Sequence, residues 1–237
     1  MHMTRTVGRA AAALTIGLAI AVLGAGCSGA EPQESPATVL TRAKAALDTT
    51  SSVHFTLTSQ NVPAGNNRLV SGSGVASHPP AAFQGKLSIL FGGATVSIEV
   101  ISVGGVVYAK LPFSATFQKT DPAKFGLTDP AILVESGKGI TRMLAETTEA
   151  KRGDDVRIGK EVAEQITGNV PGAVVDELLS DADPATPVRA TFYIVKDTGQ
   201  LRRADLTAPF HEKGTMSTYA LTLDHYGEQV TISAPPT

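Results

Sequence analysis

Residues 85–111 read GKLSILFGGATVSIEVISVGGVVYAKL. Leu87, Ile89 and Phe91 fall on every second position, and Phe83 and Gly85 extend the same series upstream. Val96, Ile98 and Val100 repeat the spacing, and Val106 and Tyr108 follow. A period of two is that of a strand, whose successive side chains point to opposite faces. Gly92-Gly93 and Gly104-Gly105 separate the runs, and paired glycines suit the tight turns of hairpins. The stretch predicts a meander of antiparallel strands, each with one apolar face.

Upstream, Val53, Phe55 and Leu57 alternate in the same way. Ser35 before Pro36 has the form of an N-cap with proline at the first helical position. Val39, Leu40, Ala43, Ala46 and Leu47 then recur at helical spacing and predict a helix over 37–48. Downstream, Asp129-Pro130 reads as a helix start. Ile132, Leu133, Ile140, Met143 and Leu144 keep helical spacing, broken by Gly137 and Gly139, so two short helices fit better than one. Residues 147–152 and 162–170 return to strand-like sequence. Pro171 opens another helical stretch, with Val174, Val175, Leu178 and Leu179 on one side, and Asp183-Pro184 and Pro187 end it. Val188, Ala190, Phe192 and Ile194 alternate; Asp197-Thr198-Gly199 makes a turn; residues 201–207 are amphipathic but less regular. Tyr219, Leu221 and Leu223 alternate, and Val230 and Ile232 are read as closing the domain. The class is α+β: one large antiparallel sheet with helices gathered on one face.

The N-terminus has another design. Arg5 and Arg9 precede an uncharged apolar run, Ala10 to Leu23, and then Gly24, Ala25, Gly26 and Cys27. Positive, apolar and small segments in that order form a secretory signal. The run is shorter than the roughly 20 residues of a permanent membrane span. Cys27 is the only cysteine, so it has no partner for a disulfide within the chain. Its position makes Leu-Gly-Ala-Gly-Cys (23–27) a lipobox, with glycine at position 24 where a bulky aliphatic is usual. Two acyl chains on Cys27 give a firm anchor where one gives a marginal one. The expected organisation is a signal peptide over 1–26, a lipidated N-terminus and flexible tether over 27–36, and one large domain over 37–237. The expected location is the outer face of the cell membrane, on the periplasmic side.

Removal of residues 1–26 leaves 18 basic against 22 acidic residues. A mildly acidic chain without a basic run excludes nucleic acid as a partner and lacks a polybasic patch for anionic lipid. His54, His78, His211 and His225 show no zinc-helix spacing. Ser71-Gly72-Ser73-Gly74 resembles a nucleophile elbow in composition only and reads better as a flexible hairpin. Lys138 between Gly137 and Gly139 lacks the upstream glycine of a phosphate loop. Asp154 and Asp155, as neighbours, do not converge and read as a polar turn. No catalytic residue, metal or cofactor is expected. The rivals are an envelope esterase or acyltransferase, or a scaffold or exporter subunit with a filled core. Tryptophan is absent, and Val, Ile, Leu and Ala dominate the apolar content. Composition fits a filled core and a greasy cavity equally.

Several stretches carry a resemblance. LDTTSSVHFTLT (47–58), the hairpin stretch 85–111, LTDPAILVESGKGITRMLAE (127–146), PVRATFYIVKDTGQLRRADL (187–206) and LTLDHYGEQVTISAPP (221–236) are similar, in order and spacing, to the LppX/LprG family of mycobacterial and related actinobacterial lipoproteins. Tyr226 and Tyr193 stand where that family usually has tryptophan. The resemblance implies a strongly curved antiparallel sheet, a half-barrel, whose concave face is covered by helices around a large hydrophobic cavity. It implies a protein that carries acylated lipids or glycolipids across the envelope; a monomer, with a membrane exporter as a candidate partner, is expected. The lipids implied are phosphatidylinositol mannosides, lipoglycans, triacylglycerol or phthiocerol-type waxes. By this likeness Leu87, Ile89, Phe91, Val96, Ile98, Val100, Val106, Tyr108, Phe192 and Ile194 are assigned to the sheet side of the cavity. Ile140, Met143, Leu144, Val174 and Leu178 are assigned to a helical lid. Each is equally a position for ordinary core packing.

Overall fold

A computed structural model describes residue 2 and residues 33–236, except 66, 126 and 181. Cys27 and most of the tether lie outside the described residues. The strands are β1 (Ser52–Gln60), β2 (Arg68–Ser77), β3 (Ala82–Phe91), β4 (Ala94–Val103), β5 (Val106–Lys110), β6 (Gln118–Lys119), β7 (Thr148–Arg152), β8 (Val156–Ile158), β9 (Glu161–Val170), β10 (Val188–Val195), β11 (Leu201–Glu212) and β12 (Thr215–Asp224). The helices are α1 (Pro36–Thr49), α2 (Gly139–Glu146) and α3 (Gly172–Asp176), with 3-10 turns at Pro122–Phe125 and Pro130–Val134.

All strands join one antiparallel sheet in the order β6-β5-β4-β3-β2-β1-β12-β11-β10-β9-β7, with β8 also paired to β9. The sheet stops short of a barrel, and its margins are the two-residue β6 and the five-residue β7. Its middle is the pairing of β1 with β12, which brings the two ends of the domain side by side.

Local chemistry sets the elements. Ser35 caps α1, its Oγ accepting from Thr38 N at 3.1 Å, and Pro36 fills a first-turn position where an N–H would have no helical partner. Val39, Leu40, Ala43 and Leu47 form its buried face. Asp129 caps the Pro130–Val134 turn, Oδ1 accepting from Ala131 N at 2.9 Å. Gly139 then opens α2 with φ +47, where a Cβ would stand 2.3 Å from Ile132 O. Only glycine fits that junction, which is why the helical spacing of 132–144 breaks into two pieces. Thr141, fully buried, ties the junction: Oγ1 lies 2.9 Å from Lys138 O and accepts from Gly137 N at 2.9 Å.

Helix α1 packs on α2 and over β7, β10 and β11, while the 3-10 turn Pro130–Val134 lies over β2, β3 and β4. One layer of helices thus covers one face of the sheet, as expected for the class. Two expectations need correction. Ser71-Gly72-Ser73-Gly74 is the interior of β2 and not a hairpin. Gly74 pairs with Gly85 of β3, and a Cβ on Gly74 would come within 2.2 Å of Gln84 O. The small residues let two strands approach more closely than side chains permit. Val230 and Ile232 do not form a strand. The chain turns at Gly227, whose N–H donates to Ser52 O at 2.9 Å. Residues 230–232 then border a cleft of about 670 Å³ on the sheet's other face, beside His54, Val75, Lys86 and Glu99.

Candidate lipid-binding site

The helix-covered face of the sheet is apolar along its length. Phe83, Leu87 and Ile89 of β3 continue into Ile98 and Val100 of β4 on one side and Phe55 of β1 on the other, all buried. Against this face lie Leu127, Pro130 and Leu133 from the 3-10 region, Ile140 from α2, and Leu178 and Leu179 from the turn after α3. Between the layers is an apolar cavity of about 70 Å³, completed by Leu57, Leu69, Ala204, Leu206, Tyr219 and Leu221. A second, smaller void of about 10 Å³ continues it toward β5, lined by Ile98, Val100, Val107, Ala109 and Phe125 and sharing Leu127, Thr128 and Pro130. The two make one apolar seam across the sheet.

The seam is dry in its chemistry. Thr128 and Tyr219 are the polar side chains lining the larger cavity, and both are engaged: Thr128 Oγ1 donates to Leu178 O at 3.2 Å, and Tyr219 OH donates to Leu69 O at 2.9 Å. His211 backs Tyr219 from outside, Nε2 lying 3.1 Å from the phenol oxygen. Desolvation, aided by the charge of Arg68, pushes the His211 pKa down to about 4, so the imidazole is neutral at pH 7. On the outer surface of the lid, Arg142 bridges Glu146 of α2 at 2.6 Å and Glu177 beyond α3, tying the two lid segments together.

The residues singled out from sequence fall into four groups. Leu87, Ile140 and Leu178 line the cavity, and Ile98 and Val100 line its extension. Ile89, Met143, Leu144, Val174, Phe192 and Ile194 are buried in solid core away from the voids, and Val96 packs at its margin. Phe91, at the end of β3, is 54% exposed and lines neither void. Val106 and Tyr108 belong to the opposite face. In register, Val103 faces Val106, Ile101 faces Tyr108 and Val100 faces Ala109, so Val107 and Ala109 share the face of Ile98 and Val100. The floor from β1, β11 and β12 was missed. Its signal was present in the alternation of Phe55, Leu57, Tyr219 and Leu221, but which strands lie centrally depends on the pairing of β1 with β12.

The profile of the LppX_LprAFG lipoproteins matches residues 35–232, which takes in every element of this sheet and its lid. The chain belongs to the LppX_LprAFG lipoprotein family. The lipoarabinomannan carrier protein LprG of Mycobacterium tuberculosis (strain ATCC 25618 / H37Rv) is 27% identical over 220 residues, covering 90% of this chain and 89% of that protein. The LprG of Mycobacterium bovis (strain BCG / Pasteur 1173P2) matches to the same extent. The crystal structure of LprF from Mycobacterium bovis superposes with a TM-score of 0.71 at 18% identity, covering 87% of this chain and 99% of that one. Lipoprotein LppX of Mycobacterium tuberculosis gives 0.60 at 18% identity, covering 84% and 98%. These two likenesses concern the fold. This LppX_LprAFG member therefore sits in a family of envelope lipoproteins that includes lipid carriers.

Proposed function

We propose that this protein is a non-enzymatic carrier of multi-acylated lipids. The acyl chains lodge between the sheet and the lid of α2, α3 and the Pro130–Val134 turn, and the polar head stays at the opening. Cys27, diacylated, holds the carrier on the outer face of the cell membrane while the domain ferries its cargo across the envelope, receiving it from a membrane exporter. The observation that supports this reading is the apolar seam, in whose larger cavity the polar side chains already bond to backbone carbonyls and so ask nothing of a ligand.

The cavity, at about 70 Å³, is far below the ~300–1,000 Å³ of ordinary ligand pockets. Acyl chains therefore enter by lifting the lid from the sheet. The energetics permit this. A chain leaving a bilayer costs about 0.8 kcal/mol for each methylene exposed to water, so an apolar sleeve need only match the bilayer's interior. Prising the lid open exposes apolar side chains that the incoming tails cover again. Of the lipid classes implied by the family, a lipoglycan is favoured by the carrier name of the LprG relatives. Phosphatidylinositol mannosides, triacylglycerol and phthiocerol-type waxes share its need for an apolar sleeve.

The test is organic extraction of the purified protein after incubation with vesicles containing phosphatidylinositol mannosides or triacylglycerol, followed by mass spectrometry. About one lipid molecule per chain is the expected result. Recovery no greater than from a lipid-indifferent protein of the same size would refute the carrier reading.

A further inference from the structure

On the face of the sheet away from the lid, strand pairing assembles a group of side chains unrelated to the seam. His54 of β1 stands opposite Asp224, the last residue of β12, in the antiparallel ladder, so both side chains emerge on one face. His225 follows with φ 48, a left-handed conformation uncommon outside glycine. That conformation sets its ring beside His54, with centroids 5.0 Å apart. Donor atoms of His54, Asp224 and His225 all lie within 4.8 Å of one another. Glu228, on the segment that turns back at Gly227, places Oε2 3.1 Å from His54 Nε2.

We propose that His54, Asp224, His225 and Glu228 bind a divalent transition-metal ion of the zinc class. Two imidazoles and two carboxylates form a neutral site with such an ion, and imidazole donors discriminate against magnesium and calcium. Tetrahedral zinc with bonds of 2.0–2.2 Å sets its donors about 3.3 Å apart. The His54–Glu228 separation, 3.1 Å, is close to that value, and the other donors reach it by rotation of their side chains. The ion clips the C-terminal segment to β1 at the edge of the outer cleft, reinforcing the hydrogen bonds from Gly227 N to Ser52 O and from Ser52 Oγ to Glu228 O. The competing account is two separate imidazole–carboxylate pairs, His54 with Glu228 and His225 with Asp224, with no use for a metal.

The experiment is calorimetric titration of the protein, free of any affinity tag, with zinc chloride, alongside magnesium chloride as control. One equivalent of zinc and no magnesium is expected to bind. His54→Gln and His225→Gln should each weaken zinc binding by about tenfold or more, with unchanged circular dichroism. Zinc should raise the melting temperature of the parent protein and leave those of the variants unmoved. Asp224→Asn, which preserves side-chain size, repeats the test should a histidine variant lose its fold. Absence of stoichiometric zinc binding, or equal binding by folded variants, overturns the assignment in favour of simple ion pairs.

Discussion

Arg42 of α1 and Glu164 of β9 pair at 2.8 Å, and Glu164, only 7% exposed, also meets Arg152 of β7. One carboxylate thus holds a helix and a marginal strand to the sheet. Arg42 extends the link by donating to Lys196 O at 2.7 Å. Removing Glu164 takes from the largely buried Arg152 its carboxylate and leaves Arg42 with the exposed Glu34. Breaking a buried pair of this kind costs about 3 kcal/mol or more. Glu164→Gln is expected to lower the unfolding free energy measured by chemical denaturation by that amount, and a change under about 1 kcal/mol, the range of exposed pairs, would show the network to be ornamental.

Leu87 and Val106 separate the two faces of the sheet. Leu87→Trp adds bulk to the cavity at an overpacking cost of about 1–3 kcal/mol, and lipid recovery should fall well below that of the parent while the protein remains folded. Val106→Trp, on the opposite face, should leave recovery unchanged. Equal effects from both would place the acyl chains somewhere other than the seam.

His211 makes stability depend on pH. Its folded pKa is lowered to about 4 from an unfolded value of about 6.5. Between these values the unfolded chain takes up a proton that the folded chain refuses. Stability therefore declines as pH falls from about 6.5 towards 4, and this group contributes no slope above that window. His211→Gln should flatten the dependence of melting temperature on pH across that window. NMR titration of the His211 ring should give a midpoint well below 6.

Tyr226 donates from its hydroxyl to Leu201 O at 2.5 Å and lies under the Arg202 guanidinium, 5.5 Å from the ring centroid. Burial raises its pKa, partly offset by Arg202, so it remains a neutral donor. Tyr226→Phe keeps the ring and loses the hydrogen bond, and chemical denaturation should record a loss of about 1 kcal/mol.

Much of this architecture could be read from the alternation of apolar residues and from paired glycines. The run 85–103 became β3 and β4 with the turn where Gly92-Gly93 predicted it. The face of β5 could not be read that way. Val106, Val107 and Tyr108 are consecutive and apolar, so a period of two has no preferred phase there. Tyr108 and Ile101 on the outer face are nearly as buried as Val107 on the inner one. Cavity size was equally illegible, because the same leucines serve a filled core and a hollow one. His54 and His225 looked unrelated because their meeting depends on β1 pairing with β12, a contact between the two ends of the domain that local spacing does not encode.

The incomplete circuit of the sheet leaves two free margins, and free margins invite neighbouring molecules to add strands and polymerise. Here one margin is the two-residue β6, both residues exposed, and the other is the five-residue β7 with the three-residue β8 beside it. Such brevity makes each a poor template for intermolecular pairing. The molecule can thus remain an open gutter without seeding fibrils.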